Sequence, residues 1–382
     1  MLRFATSPTG DMHIGDLYIA LFNYKIAQEK KENFIVRIDG EDHDVLDILA
    51  LFNINYSQVI YQSQNIRFHS AMALQLLHEK KAFSCFCSDE WLDKKRQEAE
   101  DAGEPYHYDD ACRNLPAELV IDNTAPFSIR IASPKESSST VNFDSFVIMH
   151  RDKTPTATFA SAVEDMLSDI STVVCDESWR QENQKQAYIR SALGYNKEIE
   201  YIYIPTLLDA ENVTVQSLLK EGYLSEAISN YLISFDSTVK SPIRFDRDRL
   251  KEVNKEYLKK MDATELSRYV GFADAEIGEL ARLYVDGITT TKDLKSKITP
   301  IFEKRVIPKH LSKEVETVIE CIKDAPYFEK YNDFKNYIID KTKLQNDTLS
   351  KVMPILLTNS EDQVDIAAVY GCLKNYIGEI IK

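Results

Sequence analysis

The sequence predicts an α/β protein: a doubly wound, Rossmann-like parallel sheet, broken by an inserted segment and followed by an all-α half. Three observations predict it. Residues 1–40 read strand–turn–helix–strand, the opening of a doubly wound sheet. Helix and strand patterns resume after a turn-rich, cysteine-bearing interruption at about 68–145. Beyond about residue 230 the segments become charged and helix-periodic, with few strand signals. The chain is thereby divided into 1–230 and 231–382.

Leu2-Arg3-Phe4-Ala5 is a short strand, and Ser7-Pro8-Thr9-Gly10-Asp11 is turn chemistry. Over 14–31 the apolar residues Leu17, Leu21, Tyr24 and Ala27 fall at helical spacing. Phe34-Ile35-Val36-Arg37-Ile38 is apolar enough for a buried parallel strand. An amphipathic helix follows over 66–81, then turns over 100–145 with strand-like 125–132 inside them. Strands are expected at 143–150 and 171–175, and a helix at 184–193. In the second half, 246–260, 264–269, 312–323 and 365–381 read as helices.

With 46 Lys+Arg against 61 Asp+Glu among 382 residues the formal charge is −15, which disfavours unspecific coating of nucleic acid but permits docking on a locally basic groove. No run of about 18 apolar residues suggests a membrane span. MLRFATSPTG lacks the basic and apolar regions of a secretory signal. Six cysteines are too sparse for a disulfide scaffold, so a reducing cytoplasm is expected.

Chemistry concentrates in the stretch from Arg3 to Gly15, RFATSPTGDMHIG: a strand end, a tight turn, then His13 and Gly15 at a helix N-terminus. Such an end offers free N–H groups and a positive dipole to phosphate. Gly15 lets a nucleotide lie against the backbone, and His13 can hydrogen-bond phosphate oxygens as charge builds. A histidine alone is more commonly a cap or a surface residue, so the whole stretch carries the inference. No Walker-type loop and no GxGxxG occurs, which removes the usual warrant for kinase or dehydrogenase.

That stretch resembles the first ("HIGH") signature of class I aminoacyl-tRNA synthetases, in the form used by the glutamyl-tRNA synthetase family. Arg37-Ile38-Asp39-Gly40-Glu41-Asp42 is similar to its R-I-E-D-T-D. Cys85-Phe86-Cys87 with Tyr108-Asp109-Asp110-Ala111-Cys112-Arg113-Asn114-Leu115 resembles C-x-C … Y-D-G-x-C-R-N-L. Asp144-Ser145-Phe146-Val147-Ile148-Met149 with Pro155-Thr156 resembles D-D-F-V-I-x-R … P-T-Y. Gly222-Tyr223-Leu224-Ser225-Glu226-Ala227-Ile228-Ser229-Asn230-Tyr231-Leu232 matches G-Y-L-P-E-A-I-x-N-Y-L. The resemblance is strong to 232 and weak beyond.

It implies a Rossmann-like catalytic domain, an inserted acceptor-end domain and an anticodon-binding-like helical domain. The implied reaction activates glutamate with ATP and Mg as co-substrate and transfers it to tRNA, tRNA(Glu) in particular, in a monomeric enzyme away from membranes. Arg3, Ala5 and Ser7 match positions that hold glutamate, with Arg3 toward the side-chain carboxylate. Asp39 stands where the family has a glutamate for the α-ammonium group. Ala157, Ser161 and Cys175 complete the implied amino-acid pocket, and His13 and Gly15 the ATP site. Glu177 and Trp179 align with the segment after the strand that ends at Cys175.

Three departures weaken the implied activity. The tyrosine of P-T-Y is Ala157, and an arginine that binds the substrate's carboxylate end is Cys175. The second signature, a K-[ML]-S-K-[SR] loop, has no counterpart: Ile204-Pro205-Thr206-Leu207-Leu208-Asp209-Ala210-Glu211-Asn212-Val213 proceeds directly to the next helix. The loop's lysines balance charge on the leaving pyrophosphate, and losing one such donor typically costs about 10²–10³ in rate, or ~3–4 kcal/mol. Asp209 and Glu211 would add repulsion. The alternative is a cation swinging in from elsewhere, such as Lys220 or Lys185. The remaining functional readings are a degenerate paralogue that binds tRNA or nucleotide, and a glutamyl-queuosine tRNA(Asp) synthetase. The long helical stretch after 230 speaks against the second of these.

Cys85, Cys87 and Cys112 with a fourth ligand make a structural zinc set. Asn114 is a poor fourth ligand. Tyr108 resembles the tyrosine that serves in the glutamyl-queuosine relative, and His107 is a second candidate; three reduced thiols in a packed insert are the alternative. Cys321 and Cys372 are expected in the core, and Cys175 also suits a buried position. Arg244, Arg247, Arg249 and Lys251, running on to Lys255, Lys259 and Lys260, form a basic exception in an acidic chain. They suit either a tRNA stem or a solvated helix face. Arg113 and Arg130 are further tRNA candidates in the insert.

Overall fold

The structure, a computed structural model, describes residues 1–6, 11–40, 44–134, 143–236, 239, 241–360 and 364–381. It divides into two units, Met1–Asn212 with Asp236–Arg244, and Val213–Phe235 with Phe245–Lys382.

In the first unit β1 (Leu2–Thr6), α1 (Ile14–Lys30) and β2 (Phe34–Ile38) form the anticipated opening. α2 (Asp44–Leu51), β3 (Gln58–Tyr61) and α3 (Ile66–His78) lead into the insert. There β4 (Ala82–Cys85), β5 (Ser128–Ile131) and β6 (Phe146–Met149) pair antiparallel, with α4 (Asp89–Asp101) and α5 (Ala117–Asp122) between β4 and β5. α6 (Ala157–Leu167), β7 (Thr172–Asp176), α7 (Arg180–Ala192) and β8 (Glu200–Ile204) complete the main sheet. The short β9 (Leu207–Leu208) pairs in parallel with β10 (Ile243–Arg244).

The main sheet runs β3-β2-β1-β7-β8, all in parallel. Every residue of β2 is buried, as expected of a parallel strand covered on both faces. Strand order reverses between β1 and β7, the place where open α/β sheets bind ligands at their carboxyl ends. β1 pairs with β2 along its full length, whereas among the described residues its ladder with β7 is registered at Leu2↔Thr172. The strands therefore part toward their carboxyl ends. Val174 finds its partners in α1 instead: the buried Asn23 donates to its carbonyl at 2.9 Å and accepts from its N–H at 3.3 Å. A side chain thus keeps the crevice open without orphaning backbone.

The second unit is helical: α8 (Val215–Lys220), α9 (Ser225–Ile233), α10 (Arg247–Lys260), α11 (Ala263–Tyr269), α12 (Ala275–Arg282), α13 (Thr291–Ile298), α14 (Ser312–Lys323), α15 (Tyr331–Thr342), α16 (Asn346–Thr358), α17 (Ile366–Leu373) and α18 (Ile377–Ile380). Side chains at the helix starts decide several boundaries. Asp246 and Asp365 cap α10 and α17, while Asp262 with Glu265 and Thr290 with Asp293 form capping boxes.

Val213–Phe235 packs with the helical unit and Asp236–Arg244 with the first: Leu224 and Ala227 belong to the helical core, and the Leu224 N–H is bound by buried Asn254 at 2.8 Å. One expectation is corrected here. The single helix expected over 365–381 breaks between α17 and α18, where Asn375 bonds Glu276 and the Tyr376 hydroxyl bonds Asp274 at the start of α12. Cys321 and Cys372 are half-buried against this core.

Candidate functional site

A cavity of about 270 Å³ opens where β1 and β7 part. It gathers Arg3, Ala5, Asp39, Ala157, Ser161 and Cys175, which come from four separate elements of the chain. Ser7 lies outside the described residues. Thr156 caps α6 by accepting from the Phe159 N–H, so Ala157 sits at the helix start, facing the cavity. One and two turns on, Ser161, Glu164 and Asp165 follow on the same helix face. Cys175 accepts from Asn183 Nδ2 at 3.2 Å, and burial pushes its thiol up. Asp39 accepts from Gln62 at 3.0 Å.

Beneath the cavity lies a buried charge network. Asp165 receives Arg3 Nε at 2.7 Å and Nη2 at 3.0 Å, a bidentate fork. Arg37 Nη1 reaches the same carboxylate at 2.7 Å, its Nη2 bonds Ser161 Oγ at 2.7 Å, and its Nε stands 3.2 Å from Glu164. Burial alone would raise the Asp165 carboxyl, but Arg3 and Arg37 outweigh it and hold it below the usual aspartate range. Arg37, pressed by burial and by Arg3, is lowered. The fork assigned to a substrate carboxylate is therefore engaged by Asp165, because a fully buried aspartate without cations would be far costlier than a shared arginine.

A second cavity, of about 370 Å³, lies at the N-terminus of α1. His13 and Gly15 line it, with Asp176, Leu207, Ala210 and Glu211; Asp16 and Trp179 line both cavities. His13 stands at the N-cap position without capping through its side chain, and its buried Nδ1 has no hydrogen-bond partner among the described residues. A Cβ built on Gly15 meets nothing within 4 Å, so packing in the described structure does not require glycine there. Burial pushes the Asp16 carboxyl up.

In the segment that follows β9, Asp209 adopts φ 60° and is bound by Arg244 at 2.6 Å across the β9–β10 pair. Of the two replacement cations considered, Lys185 is paired with Glu182 at 2.6 Å, and Lys220 belongs to the helical unit. Several of the other basic candidates are engaged. Arg247 pairs with Glu221 and Lys251 with Asp248, while Arg249 lies over the rings of Tyr231 and Phe235. Arg113 is held by Asp110 and Ser133.

In the insert the thiols of Cys85, Cys87 and Cys112 lie within 4.8 Å of one another. The Tyr108 hydroxyl is 3.3 Å from Cys85 Sγ and 3.6 Å from Cys87 Sγ. Burial works against ionisation of Cys85, yet bonds from Tyr108, the Cys87 backbone and Arg130 bring its thiol down to about 7. His107 points to Asp144 at 3.0 Å and is not part of the cluster. Arg130 is corrected as a tRNA candidate: it is buried, and a guanidinium enclosed in the insert has no face to offer a phosphate.

The sequence gives no role to Arg37, Glu164 or Asp165, nor to Asn183 and Gln186, which also line the first cavity. The one signal available was the acidic pair Glu164-Asp165 inside the apolar run of α6, since buried carboxylates demand cations.

Residues 1–245 match the family model of tRNA synthetases class I (E and Q), catalytic domain. The chain is 49% identical to glutamate–tRNA ligase 2 of Sulfurimonas denitrificans, with 100% of both proteins covered. It is 35% identical to glutamate–tRNA ligase 1 of a Nitratiruptor species and to that of Campylobacter jejuni, again over 100% of each. The first alignment spans 432 positions against 382 residues here, so it includes positions at which this chain has no residue. Among solved structures, a glutamate tRNA ligase from Elizabethkingia meningosepticum in complex with its amino acid superposes with TM-score 0.73 at 19% identity, covering 100% of this chain and 98% of that one.

Proposed function

The chain is a member of the glutamyl-tRNA synthetase family of class I tRNA synthetases, and on that premise we propose that it is a glutamate–tRNA ligase with a weakened activation step. The observation that carries this reading is the pair of adjoining cavities at the β1/β7 crevice. One is rich in guanidinium and carboxylate groups, and the other faces a helix N-terminus.

The amino acid's carboxylate oxygen attacks the α-phosphorus of ATP, and pyrophosphate leaves. The tRNA 3′-terminal hydroxyl then displaces AMP from the glutamyl-adenylate. Asp39 and Asp16 suit an ammonium group, and Arg3 and Arg37, paired with Asp165 and Glu164, receive a substrate carboxylate by sharing their guanidinium groups with it. His13 Nδ1 and the positive dipole end of α1 suit the phosphates of ATP, which enters with Mg. Weakening is expected because Glu211 faces the nucleotide cavity and Cys175 replaces a cation, with Arg244 neutralising Asp209 alone. The partners of this reading are tRNA(Glu), glutamate and ATP, with the enzyme acting as a cytoplasmic monomer. Among the described residues no helix is long and apolar enough to cross a membrane. Arg244, Arg247, Arg249 and Lys251 serve tRNA in this reading by exchanging carboxylate or aromatic partners for phosphate.

Cys85, Cys87, Cys112 and Tyr108 fit a structural zinc: three thiols and a hydroxyl converge, and thiolates are its preferred donors. Bound there, the metal would tie β4 to the Tyr108–Cys112 turn.

A second reading, a binding protein without ligase activity, is favoured by the engaged fork of Arg3. ATP–pyrophosphate exchange with glutamate, with and without tRNA, decides between them. Slow exchange abolished by His13→Ala supports the weakened ligase. Exchange at ordinary synthetase rates refutes the weakening. No exchange, together with a tRNA band shift that fades with salt, supports the binding protein.

A further inference from the structure

Arg130 on β5 is 8% exposed, and among the described residues it makes no ion pair with a carboxylate. A guanidinium buried without an anion is unfavourable, because the lost hydration has nothing to replace it. Its actual surroundings are the cysteine cluster. Nε donates to Cys85 Sγ at 3.3 Å, and the guanidinium carbon lies 3.9 Å from the centre of the Tyr108 ring. Nη1 is anchored on the Ser145 carbonyl at 3.2 Å. One side chain thus touches two of the four candidate ligands at once and is fixed from behind by backbone.

The charge of a loaded site explains the arrangement. A divalent metal held by three thiolates and a tyrosine oxygen carries net negative charge whether the phenol keeps its proton or not. We propose that Arg130 is the outer-sphere cation of this metal site: it balances that charge and holds Cys85 and Tyr108 in ligating positions. The inference rests on the reading of the cluster as a zinc site and adds a positioning residue to it. Cys112 receives a comparable but uncharged contact, from the Phe86 N–H at 3.4 Å, so the cationic support falls on the Cys85–Tyr108 side.

The test uses the full chain, stripped with chelator and reloaded with zinc against a chromophoric competitor, and in parallel with cobalt(II) to read the thiolate-to-cobalt absorption. Outer-shell partners of metal ligands typically change affinity about 10–100-fold. Arg130→Met is expected to weaken zinc by that factor and to shift the cobalt spectrum. Arg130→Lys, which keeps the charge but loses the planar stack and fork, is expected to fall between. Equal zinc affinity and an unchanged cobalt spectrum in Arg130→Met overturn the proposal. If that variant does not fold, the same equality in Arg130→Lys overturns it, and a several-fold loss there supports it. Failure of the wild-type chain to retain zinc removes the metal reading and this inference together, whereas zinc retained equally by wild type and variant removes the inference alone.

Discussion

Gly15→Ala separates what the fold needs from what a nucleotide needs. Gly15 is the second residue of α1, at negative φ, and among the described residues a Cβ there would meet no atom within 4 Å beyond its own helix backbone and chain neighbours. Nothing in the described structure opposes a methyl group, and replacing glycine within a helix stabilises by about 0.5–1 kcal/mol through the unfolded chain's lost freedom. For a unit of this size that raises Tm by about 1–4 °C. The same methyl would stand in the cavity lined by His13 and Glu211, where a phosphate chain must approach the helix N-terminus closely. ATP affinity is expected to fall at least about tenfold, which is ~1.4 kcal/mol. Thermal melts of the free protein give the first quantity. Quenching of Trp179 gives the second, read in a Trp91→Phe background because the chain has 2 tryptophans. A variant that melts earlier than wild type would show that the space is not open. A variant that binds ATP as tightly as wild type would remove the nucleotide from this helix end.

Asp165→Asn should cost about 3–5 kcal/mol at neutral pH, because Arg3 and Arg37 lose their shared anion while remaining buried. The Asp165 carboxyl is depressed in the folded state, so its contribution is present above the ordinary aspartate value of about 4 and is lost as pH falls through the lower folded value. The variant's melts should lack that acid-side loss, and a neutral-pH Tm equal to wild type would defeat the assignment. Glu211→Lys should raise pyrophosphate exchange about tenfold or more, since a cation then lines the cavity where the leaving group departs; an unchanged rate would place the defect elsewhere. Protein purified without chelator should carry one zinc per chain, and its removal should expose the Tyr108–Cys112 segment to proteolysis. Absence of metal by elemental analysis, with all thiols freely titratable, would refute this.

The elements legible in the sequence are those whose signals are local. β1, α1 and β2 follow from apolar spacing and a turn, and α14 matches its periodic segment end to end. The capping aspartates of the helical unit act within three residues of themselves, so α10 begins beside Asp246 as the pattern suggests. β3, β4 and β8 escaped because they are short or mixed in character: Glu-Tyr-Ile-Tyr-Ile in β8 is half exposed and carries no clear alternation. Six of the pocket residues, from Arg3 to Cys175, were legible through motif resemblance, and the cavity gathers them.

What the sequence determined by itself is the identity of the reactive groups and the order in which short-range elements present them, since turns, caps and periodicity act over a few residues. Which charge meets which was decided only in three dimensions. Arg3 and Arg37 reach Asp165 across most of the first unit, Arg244 meets Asp209 through a two-residue strand pair, and Arg130 turns inward to Cys85 and Tyr108. The physical reason is desolvation: a buried charge must find its counter-charge wherever the fold brings one, and sequence distance places no bound on that search.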